Sequence, residues 1–296
     1  MEIYFDNAAT TRLGKAAAEI ADRVAREDYG NPSSLHLAGV RAEAAVRTAA
    51  EQIAKTLKAE PAELIFTSGG TESDNLAILG TARSRKGYGR HLITSAVEHP
   101  AVLEAMRFLE EQDFSVTVLP VDTAGKIALS DLEAAVRKDT ILVSLMYVNN
   151  EIGTIQPVAA AAELVHRLNP DCYFHTDAVQ AYGKFEIYPK RLGIDLLSAS
   201  SHKIAGPKGV GFLYKNRRVS LKPVSFGGGQ QGGLRSGTLN APGIAGMGEA
   251  AREAYSDFPA KRERLLVIKN RILAAALEIP GVSANSAPGM DSAPQI

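Results

Sequence analysis

The chain has 296 residues, of which 45% are apolar and 22% charged, so it is neither a disordered, a collagen-like nor a coiled-coil protein. Its 33 basic and 33 acidic residues cancel, so no net field favours nucleic acid or an anionic membrane as a partner. Cys172 is the only cysteine, which excludes an internal disulfide framework and disfavours a multi-cysteine metal site.

The length allows one large domain and a smaller one. The first residues, Met1 to Asp6, contain no basic segment followed by an apolar one, and no apolar run approaches the length of a membrane span. We therefore expect no export signal and no anchor. Together with the single cysteine, this predicts a location in the reducing cytoplasm.

Helical and extended patterns alternate along the chain. An Ala-rich helix is predicted from Lys15 to Glu27, and a second helix follows with Ser34 as its N-cap. From residue 63 onward, apolar runs predict seven strands, at 63–67, 91–95, 116–119, 140–146, 173–176, 195–199 and 211–214. Helices between the earlier strands begin near residues 71, 100, 130 and 157, and two more are predicted at 241–256 and 259–278.

Alternating strands and helices predict a mostly parallel α/β sheet with helices on both faces. Ligands bind such sheets beyond the carboxyl ends of the strands. After the first strand, the backbone amides of Gly70 and Thr71 can hold a phosphate, although Thr71 with Asp74 also fits a plain helix cap. After the second, His99 can stack on a ring or move a proton, or it can cap the helix that begins at Pro100.

Later strand ends add further polar side chains. Asn149 can bond a ligand oxygen or make a turn. Asp177 can reach a buried cationic nitrogen or cap a helix, and Gln180 lies one helical turn further on the same side. In the Gly-rich segment 225–238, Arg235 and Thr238 can grip a phosphate, unless the segment is a disordered surface hairpin.

Lys203 lies in the stretch Ser200–Gly209, directly after a predicted buried strand. A lysine held there can be partly desolvated, which lowers its pKa and makes the amine nucleophilic. Ser200 and His202 beside it suit an anion. Taken alone, this stretch is better interpreted as a solvated turn. Together with a carboxylate and a phosphate-binding turn, it provides the groups that pyridoxal phosphate (PLP) requires.

Eight motifs, which together span nearly the whole chain, resemble a cysteine desulfurase of the NifS/IscS group, a PLP-dependent enzyme of the class V aminotransferase family. They are YFDNAATT (4–11), GNPSSLH (30–36), TSGGTESDN (67–75), EHP (98–100), VNNEIG (148–153), HTDAVQ (175–180), SHKIAGPKG (201–209) and RSGTLN (235–240). The resemblance implies PLP-dependent transferase fold type I, with a seven-stranded, mostly parallel sheet flanked by helices. It also implies an N-terminal arm at 1–14, a large PLP-binding domain at 15–257, and the start of an incomplete α+β small domain at 258–296.

By this resemblance, Lys203 binds the cofactor covalently and later moves the proton at the substrate's Cα. Asp177 pairs with the pyridine nitrogen, and His99 stacks on the ring and shuttles a proton. Gln180 is placed for the phenolic oxygen, and Asn149 for that oxygen or for the substrate carboxylate.

The resemblance also implies which residues hold the phosphate of the cofactor. Four come from the same chain: Gly70, Thr71, Ser200 and His202. Thr238 is contributed by the partner subunit of a homodimer.

In the family's reaction, L-cysteine becomes alanine, and its sulfur passes to a protein cysteine that supplies an iron–sulfur scaffold or another acceptor protein. In the family, that cysteine and a carboxylate-binding arginine lie beyond the second long helix, in a segment that would follow Ile296. We expect Cys172 to be a half-buried structural thiol rather than a substitute. These 296 residues are therefore expected to bind PLP at best weakly and not to turn cysteine over.

Two alternatives stay open. The chain can be an aminotransferase or lyase for another amino acid, which the VNNEIG and SHKIAGPKG motifs disfavour. It can also be a non-catalytic fragment that dimerises or occupies a scaffold partner. In that case the helix predicted at 259–278 is expected to expose an apolar stripe and to promote association.

Overall fold

The computed structural model describes residues 3–285 and 293–294. It contains seven strands, β1 (Leu64–Thr67), β2 (His91–Ser95), β3 (Ser115–Leu119), β4 (Thr140–Ser144), β5 (Tyr173–Asp177), β6 (Leu196–Ser200) and β7 (Gly211–Lys215). They form one sheet in the order β1-β7-β6-β5-β4-β2-β3. All neighbours pair in parallel except β7, which is antiparallel to β1 and β6. The predicted mostly parallel, seven-stranded sheet is confirmed.

Nine α-helices surround the sheet in the described ranges. They are α1 (Lys15–Glu27), α2 (Leu37–Leu57), α3 (Gly70–Arg85), α4 (Pro100–Glu110), α5 (Leu129–Ala135), α6 (Val158–Leu168), α7 (Pro189–Leu192), α8 (Ala241–Tyr255) and α9 (Phe258–Leu277). Within residues 3–285, no helix is long and apolar enough to cross a membrane.

Both faces of the sheet are buried, because neighbouring strand residues point to opposite sides. One residue of each pair joins a core with α3 and α4, and the next joins a second core with α2, α6 and α8. These pairs are Ile65/Phe66, Leu92/Ile93, Leu142/Val143, Tyr173/Phe174, Leu196/Leu197 and Leu213/Phe212. The apolar runs are therefore continuous rather than alternating, as a sheet covered on both faces requires.

The N-cap of α2 is His36, and the prediction of Ser34 is wrong. His36 Nδ1 accepts a hydrogen bond from the Gly39 amide at 3.3 Å, while the Ser34 amide donates to Asn31 O in the preceding turn. That turn packs closely on the start of the helix, since a Cβ on Gly39 would lie 2.3 Å from Ser34 O. The cap thus moves two residues along the chain.

The Gly-rich segment 225–238 is tied to the sheet and to α3. The Gln231 side chain accepts from the Phe66 amide at 2.6 Å and donates to the Phe66 carbonyl at 2.8 Å. Arg235 donates to both carboxylate oxygens of Glu72, at 2.8 and 3.2 Å. These contacts contradict a disordered hairpin, and they pair Arg235 with a carboxylate of its own chain instead of a phosphate.

Helix α9 begins directly after α8, where the rings of Tyr255 and Phe258 stack with their centroids 5.4 Å apart. The apolar side chains of Val267, Ile268 and Ile272 on α9 are exposed, as the stripe predicted for this helix requires. The small domain is predicted to start at residue 258. Of its residues, 286–292, 295 and 296 lie outside the described part of the chain. The boundary between residues 257 and 258 stays a prediction.

Candidate active site

A cavity of about 450 Å³ lies beyond the carboxyl ends of β1, β2, β4, β5 and β6. Its wall contains most of the residues selected from the sequence, namely Gly70, Thr71, His99, Asp177, Gln180, Ser200, His202 and Lys203. Asn149 and Thr238 are not part of the wall. Segments that follow five strands, together with residues 6–9, therefore meet in one place, as the ends of parallel strands in one sheet do.

Lys203 closes a 3₁₀ turn that follows β6 directly. Its Nζ donates to the carbonyl oxygen of Ala8 and, at 2.9 Å, to that of Ala9. Burial lowers the pKa of the Lys203 amine, while the nearby carboxylates of Asp177 and Asp6 oppose that shift. The amine is therefore half-buried, held in one direction, and more easily deprotonated than a surface lysine, as a nucleophilic amine requires.

The N-terminal arm lies across this lysine. Thr11 donates to His202 O through its amide at 2.9 Å and through its hydroxyl at 2.8 Å, and Thr10 Oγ1 lies 3.0 Å from His202 Nδ1. The amide of Gly14 donates to Ala205 O at 2.8 Å. Local sequence patterns predict only a turn in this segment, and they do not place it in the cavity. The motif at residues 4–11 was the signal that could have placed it there.

Asp177 is a buried carboxylate at the end of β5, with Oδ1 accepting from the Val179 amide at 2.8 Å. Burial raises its pKa, and the hydrogen bond from the Val179 amide, with His99 and Lys203 nearby, acts in the opposite direction. Because the Lys203 amine lies near it, Asp177 can hold a negative charge in the cavity wall. A carboxylate in this position suits a protonated ring nitrogen.

Asp74 is a second buried carboxyl group in the same wall, only 1% exposed, and local patterns assigned it only to a capping pattern. Its Oδ1 has no hydrogen-bond partner and lies 3.6 Å from His175 Nε2. Burial and the charges of Asp177 and Glu98 raise the pKa of Asp74 well above its ordinary value. Since neighbouring carboxyl groups do not both ionise readily and the pKa of Asp74 is raised further than that of Asp177, Asp74 is the group that favours the proton.

The anion-binding end of the cavity is the start of α3. The first turn of a helix leaves its N–H groups without partners inside the helix, and here these belong to Gly70 and Thr71. Gly69, just before them, has φ 154° and ψ −173°, a conformation essentially restricted to glycine. Ser200 and His202 complete this end. Burial and the charge of Lys203 lower the pKa of His202.

His99 is the N-cap of α4 and also lines the cavity. Its Nδ1 accepts from the Ala101 amide at 3.1 Å, so a neutral ring carries its proton on Nε2. The two interpretations of His99, helix cap and cavity residue, are thus compatible, because the cap uses one nitrogen and leaves the ring face and Nε2 to the cavity.

Asn149 shapes a turn. Its side chain donates to Val97 O at 3.0 Å and accepts from the amides of Glu151 and Ile152 at 2.9 and 3.0 Å. The interpretation as a turn residue therefore holds, and the contact of Asn149 with the ligand stays a prediction. Its neighbours Asn150 and Glu151 line the cavity instead.

Cys172 and Thr238 both lie outside the cavity. Cys172 is fully buried rather than half-buried, with its Sγ 3.5 Å from Tyr173 O, and burial raises the pKa of its thiol. It is a structural thiol, not a nucleophile. Thr238 is exposed, so its predicted contact with a phosphate in a neighbouring subunit stays a prediction.

Comparisons with known proteins agree with this arrangement. The family described as Aminotransferase class-V matches residues 3–287. A cysteine desulfurase IscS of Dictyoglomus turgidum is 47% identical over 269 residues, which are 91% of this chain and 68% of that protein. The chain belongs to the class V aminotransferase family, in its cysteine desulfurase group.

Solved structures of this group share the fold. A structure described as a NIFS-like protein has a TM-score of 0.96 at 40% identity and covers 99% of this chain and 80% of its own. Another, described as SspA in complex with cysteine, has a TM-score of 0.81 at 42% identity over 84% of this chain and 72% of its own. The chain therefore spans about two thirds to four fifths of the length of these relatives.

Cysteine desulfurases of the class V family use PLP, and the cavity has the groups to hold it. An amine, an ionised carboxylate and a helix N-terminus lie in the same wall, where they match the aldehyde, the ring nitrogen and the phosphate. The partnerless Oδ1 of Asp74 shows that the wall also has an unused polar atom. The chemistry of the donor set therefore fits the cofactor.

Proposed function

We propose that this chain is a PLP-dependent cysteine desulfurase that acts on free L-cysteine. The observation that carries the proposal is the convergence of Lys203, Asp177 and the start of α3 on one cavity. The substrate is supported by the 42% identical structure described as a complex with cysteine.

PLP, when bound, supplies an aldehyde and an electron-withdrawing ring next to the substrate's Cα. The Lys203 amine would hold the cofactor through its aldehyde and would be placed to move the proton at Cα. The Asp177 carboxylate would bind the ring nitrogen and favour its positive charge. His99 would lie against the ring with a proton on Nε2, and Gln180 would donate to the phenolic oxygen. The phosphate would be held by Gly70, Thr71, Ser200 and His202.

The sulfur acceptor in this proposal is a thiol other than Cys172, because that thiol is fully buried and lies outside the cavity wall. The natural acceptor is then a cysteine thiolate that reaches the cavity from outside the described residues, with an iron–sulfur scaffold or another acceptor protein receiving the sulfur afterwards. The reducing cytoplasm, where such thiols stay free, suits this chemistry.

The chain is further proposed to act as a homodimer in which Thr238 reaches the phosphate in the partner subunit. The exposed position of Thr238 supports this arrangement. So does a group of exposed apolar residues before and at the start of α2, where Leu35 is 98% and Leu37 70% exposed. Apolar side chains grouped on a surface are typical of protein interfaces.

Trapping the cofactor on Lys203 tests the site. The purified chain is incubated with PLP and reduced with borohydride, and the modified peptide is mapped by mass spectrometry. A pyridoxyl group on Lys203 is expected, and Lys203→Gln should remove it. The matched control is Lys222→Met, which changes an exposed lysine outside the cavity and should leave the labelling intact. Scattered labelling of surface lysines would refute the proposed site.

The reaction is tested with cysteine and dithiothreitol. Since the chain's single cysteine, Cys172, is buried outside the cavity, dithiothreitol takes the place of the acceptor thiol, and turnover is expected to be slow. One cysteine and one dithiothreitol should then give alanine, sulfide and oxidised dithiothreitol, so that the dithiothreitol supplies both electrons and both hydrogens. Alanine and sulfide in equal amounts, both lost in Lys203→Gln, would support the proposal. If PLP is bound but another amino acid is converted to a keto acid or releases ammonia, while cysteine is not converted, the chain is an aminotransferase or lyase instead.

A further inference from the structure

Gln180 is held on both sides of its side-chain amide. Its Nε2 donates to Ala8 O at 2.9 Å, and its Oε1 lies 3.4 Å from the Nζ of Lys184. The same Ala8 carbonyl also accepts from Lys203. A chain of hydrogen bonds thus runs from Lys184 through Gln180 to the N-terminal arm, next to the predicted cofactor lysine. Lys184 has no role in the function proposed above.

Lys184 is brought to Gln180 by the backbone. The chain between them makes two consecutive turns, in which the Tyr182 amide donates to Ala178 O at 2.8 Å and the Lys184 amide donates to Ala181 O at 3.0 Å. The intervening Gly183 has φ 81°, and a Cβ there would lie 2.5 Å from Ile204 Cγ2. The Lys184 side chain is partly buried and lines a neighbouring pocket together with Thr11 and Lys203.

The direction of a glutamine amide depends on its partners, because its oxygen and nitrogen ends have nearly the same shape. With the amide reversed, Oε1 would face the Ala8 carbonyl, which only accepts, and Nε2 would face the amine of Lys184, which donates. Lys184 therefore favours one of the two orientations. In that orientation Nε2 faces Ala8 and the cavity.

We propose that Lys184 is a positioning residue that fixes the side-chain amide of Gln180, so that Nε2 is presented to the N-terminal arm and to an acceptor oxygen of the ligand. For the cofactor, which rests on the proposed function, that oxygen is the phenolic oxygen of PLP. Burial, together with the charge of Lys203, lowers the pKa of Lys184 to about 7. Below that pH the ammonium only donates and the orientation is fully specified; above it the neutral amine has an acceptor lone pair and favours the orientation less strongly.

The first test uses the cofactor-free chain. Lys184→Met keeps the aliphatic stem and removes the donor. Hydrogen–deuterium exchange of the peptide covering residues 6–11 should then become faster, because the bond from Gln180 to Ala8 is no longer fixed. Lys184→Arg, which keeps a donor, should restore protection, and Lys222→Met should have no effect. Unchanged exchange in Lys184→Met would overturn the proposal; if that variant does not fold, Lys184→Ala replaces it.

The second test measures PLP affinity as a double-mutant cycle with Gln180→Leu. Lys184→Met should weaken PLP binding about three- to tenfold, as expected for the loss of one fixed hydrogen bond. In the Gln180→Leu background the same substitution should change affinity by less than about twofold. An equal loss in both backgrounds would show that Lys184 does not act through Gln180. If the parent chain binds no PLP, the proposed function fails, while the exchange experiment still decides the role of Lys184.

Discussion

Asp177 and Asp74 have the same side chain, lie in the same cavity wall and are both buried, yet their surroundings give them different charges. Burial raises the pKa of Asp177, but the Val179 amide and the nearby Lys203 amine favour its ionised form. Asp74 has only carboxylates as charged neighbours, and both burial and those charges raise its pKa. At the scale of single residues, the cavity therefore contains one carboxylate and one carboxylic acid.

This assignment predicts different outcomes for two isosteric substitutions. Asp177→Asn should weaken PLP binding about ten- to a hundredfold, because a charge-assisted hydrogen bond to the ring nitrogen is lost. Asp74→Asn replaces one neutral group by another and should change affinity by less than about threefold. Equilibrium titration of PLP absorbance checks both. Equal losses in the two variants would contradict the assignment.

Glu98 gives a prediction about stability. It is buried, its Oε1 accepts from Ser95 at 2.6 Å and from the Met146 amide at 2.9 Å, and its Oε2 has no partner. Burial raises its pKa from 4.5 to about 8. Below pH 4.5 the group is protonated in both states, and its stabilising contribution is complete. Between pH 4.5 and 8 only the unfolded chain loses the proton, so the free energy of unfolding falls as pH rises.

The variant Glu98→Gln isolates this effect. Urea denaturation of both proteins should show that the unfolding free energy of the wild-type chain falls relative to that of the variant as pH rises. The change approaches about 1.4 kcal/mol per pH unit at its steepest and levels off above pH 8. Other titrating groups are common to both proteins and cancel. A difference that is constant from pH 5 to pH 8.5 would exclude a raised pKa at Glu98.

At the scale of secondary-structure elements, the close contact of α8 with α2 depends on small residues. A Cβ on Gly248 would lie 2.6 Å from the Cα of Ala49 in α2, and one on Gly246 would lie 2.6 Å from the ring of Pro207. Neither neighbour is the mobile end of a long side chain. The two glycines therefore set the distance at which α8 packs on its surroundings.

Gly248→Ala should destabilise the fold by about 1–3 kcal/mol, because the clash with the backbone of α2 exceeds the gain of about 1 kcal/mol in helix propensity. The control is Gly87→Ala, where a Cβ meets nothing within 4 Å. Urea denaturation measures both changes. Stabilisation by Gly248→Ala would mean that α8 can move away from α2 far enough to fit the new methyl group with no loss of stability.

The sequence predicted the elements much better than their contacts. Strand β2 and helix α1 have the predicted bounds, because continuous apolar runs and helical periodicity are local signals. The antiparallel pairing of β7 with β1 joins residues about 150 positions apart, and the position of the arm over Lys203 joins residues 195 positions apart, which no local pattern encodes. Asn149 shows the same limit within the site, since only the folded chain decides whether its amide faces a ligand or a turn.

At the scale of the whole molecule, apolar surface remains uncovered in two regions of the described chain. One lies just before α2 and at its first residue, where Leu35 is 98% and Leu37 70% exposed. The other is the face of α9 that carries Val267 and Ile272. The first suits the proposed homodimer, which needs a surface near residues that reach the partner's site. The second agrees with the association expected for this helix.

The double substitution Leu35→Asp with Leu37→Asp should convert the proposed dimer to a monomer, because two charges would be buried at its interface. Light scattering after size-exclusion chromatography measures the mass. Phe108→Asp, which changes an exposed aromatic residue on α4, is the matched control and should leave the mass unchanged. A dimer that survives the double substitution would place the interface elsewhere.

Strand β1 lies at one end of the sheet, where an unpaired strand is a template for the strand of another molecule. The side-chain amide of Gln231 hydrogen-bonds to both the N–H and the C=O of Phe66 on this edge. A backbone amide of a neighbouring strand would make the same two bonds. A single side chain thus imitates an eighth strand over one residue. Growth of amyloid-like stacks from this edge requires the release of one glutamine first.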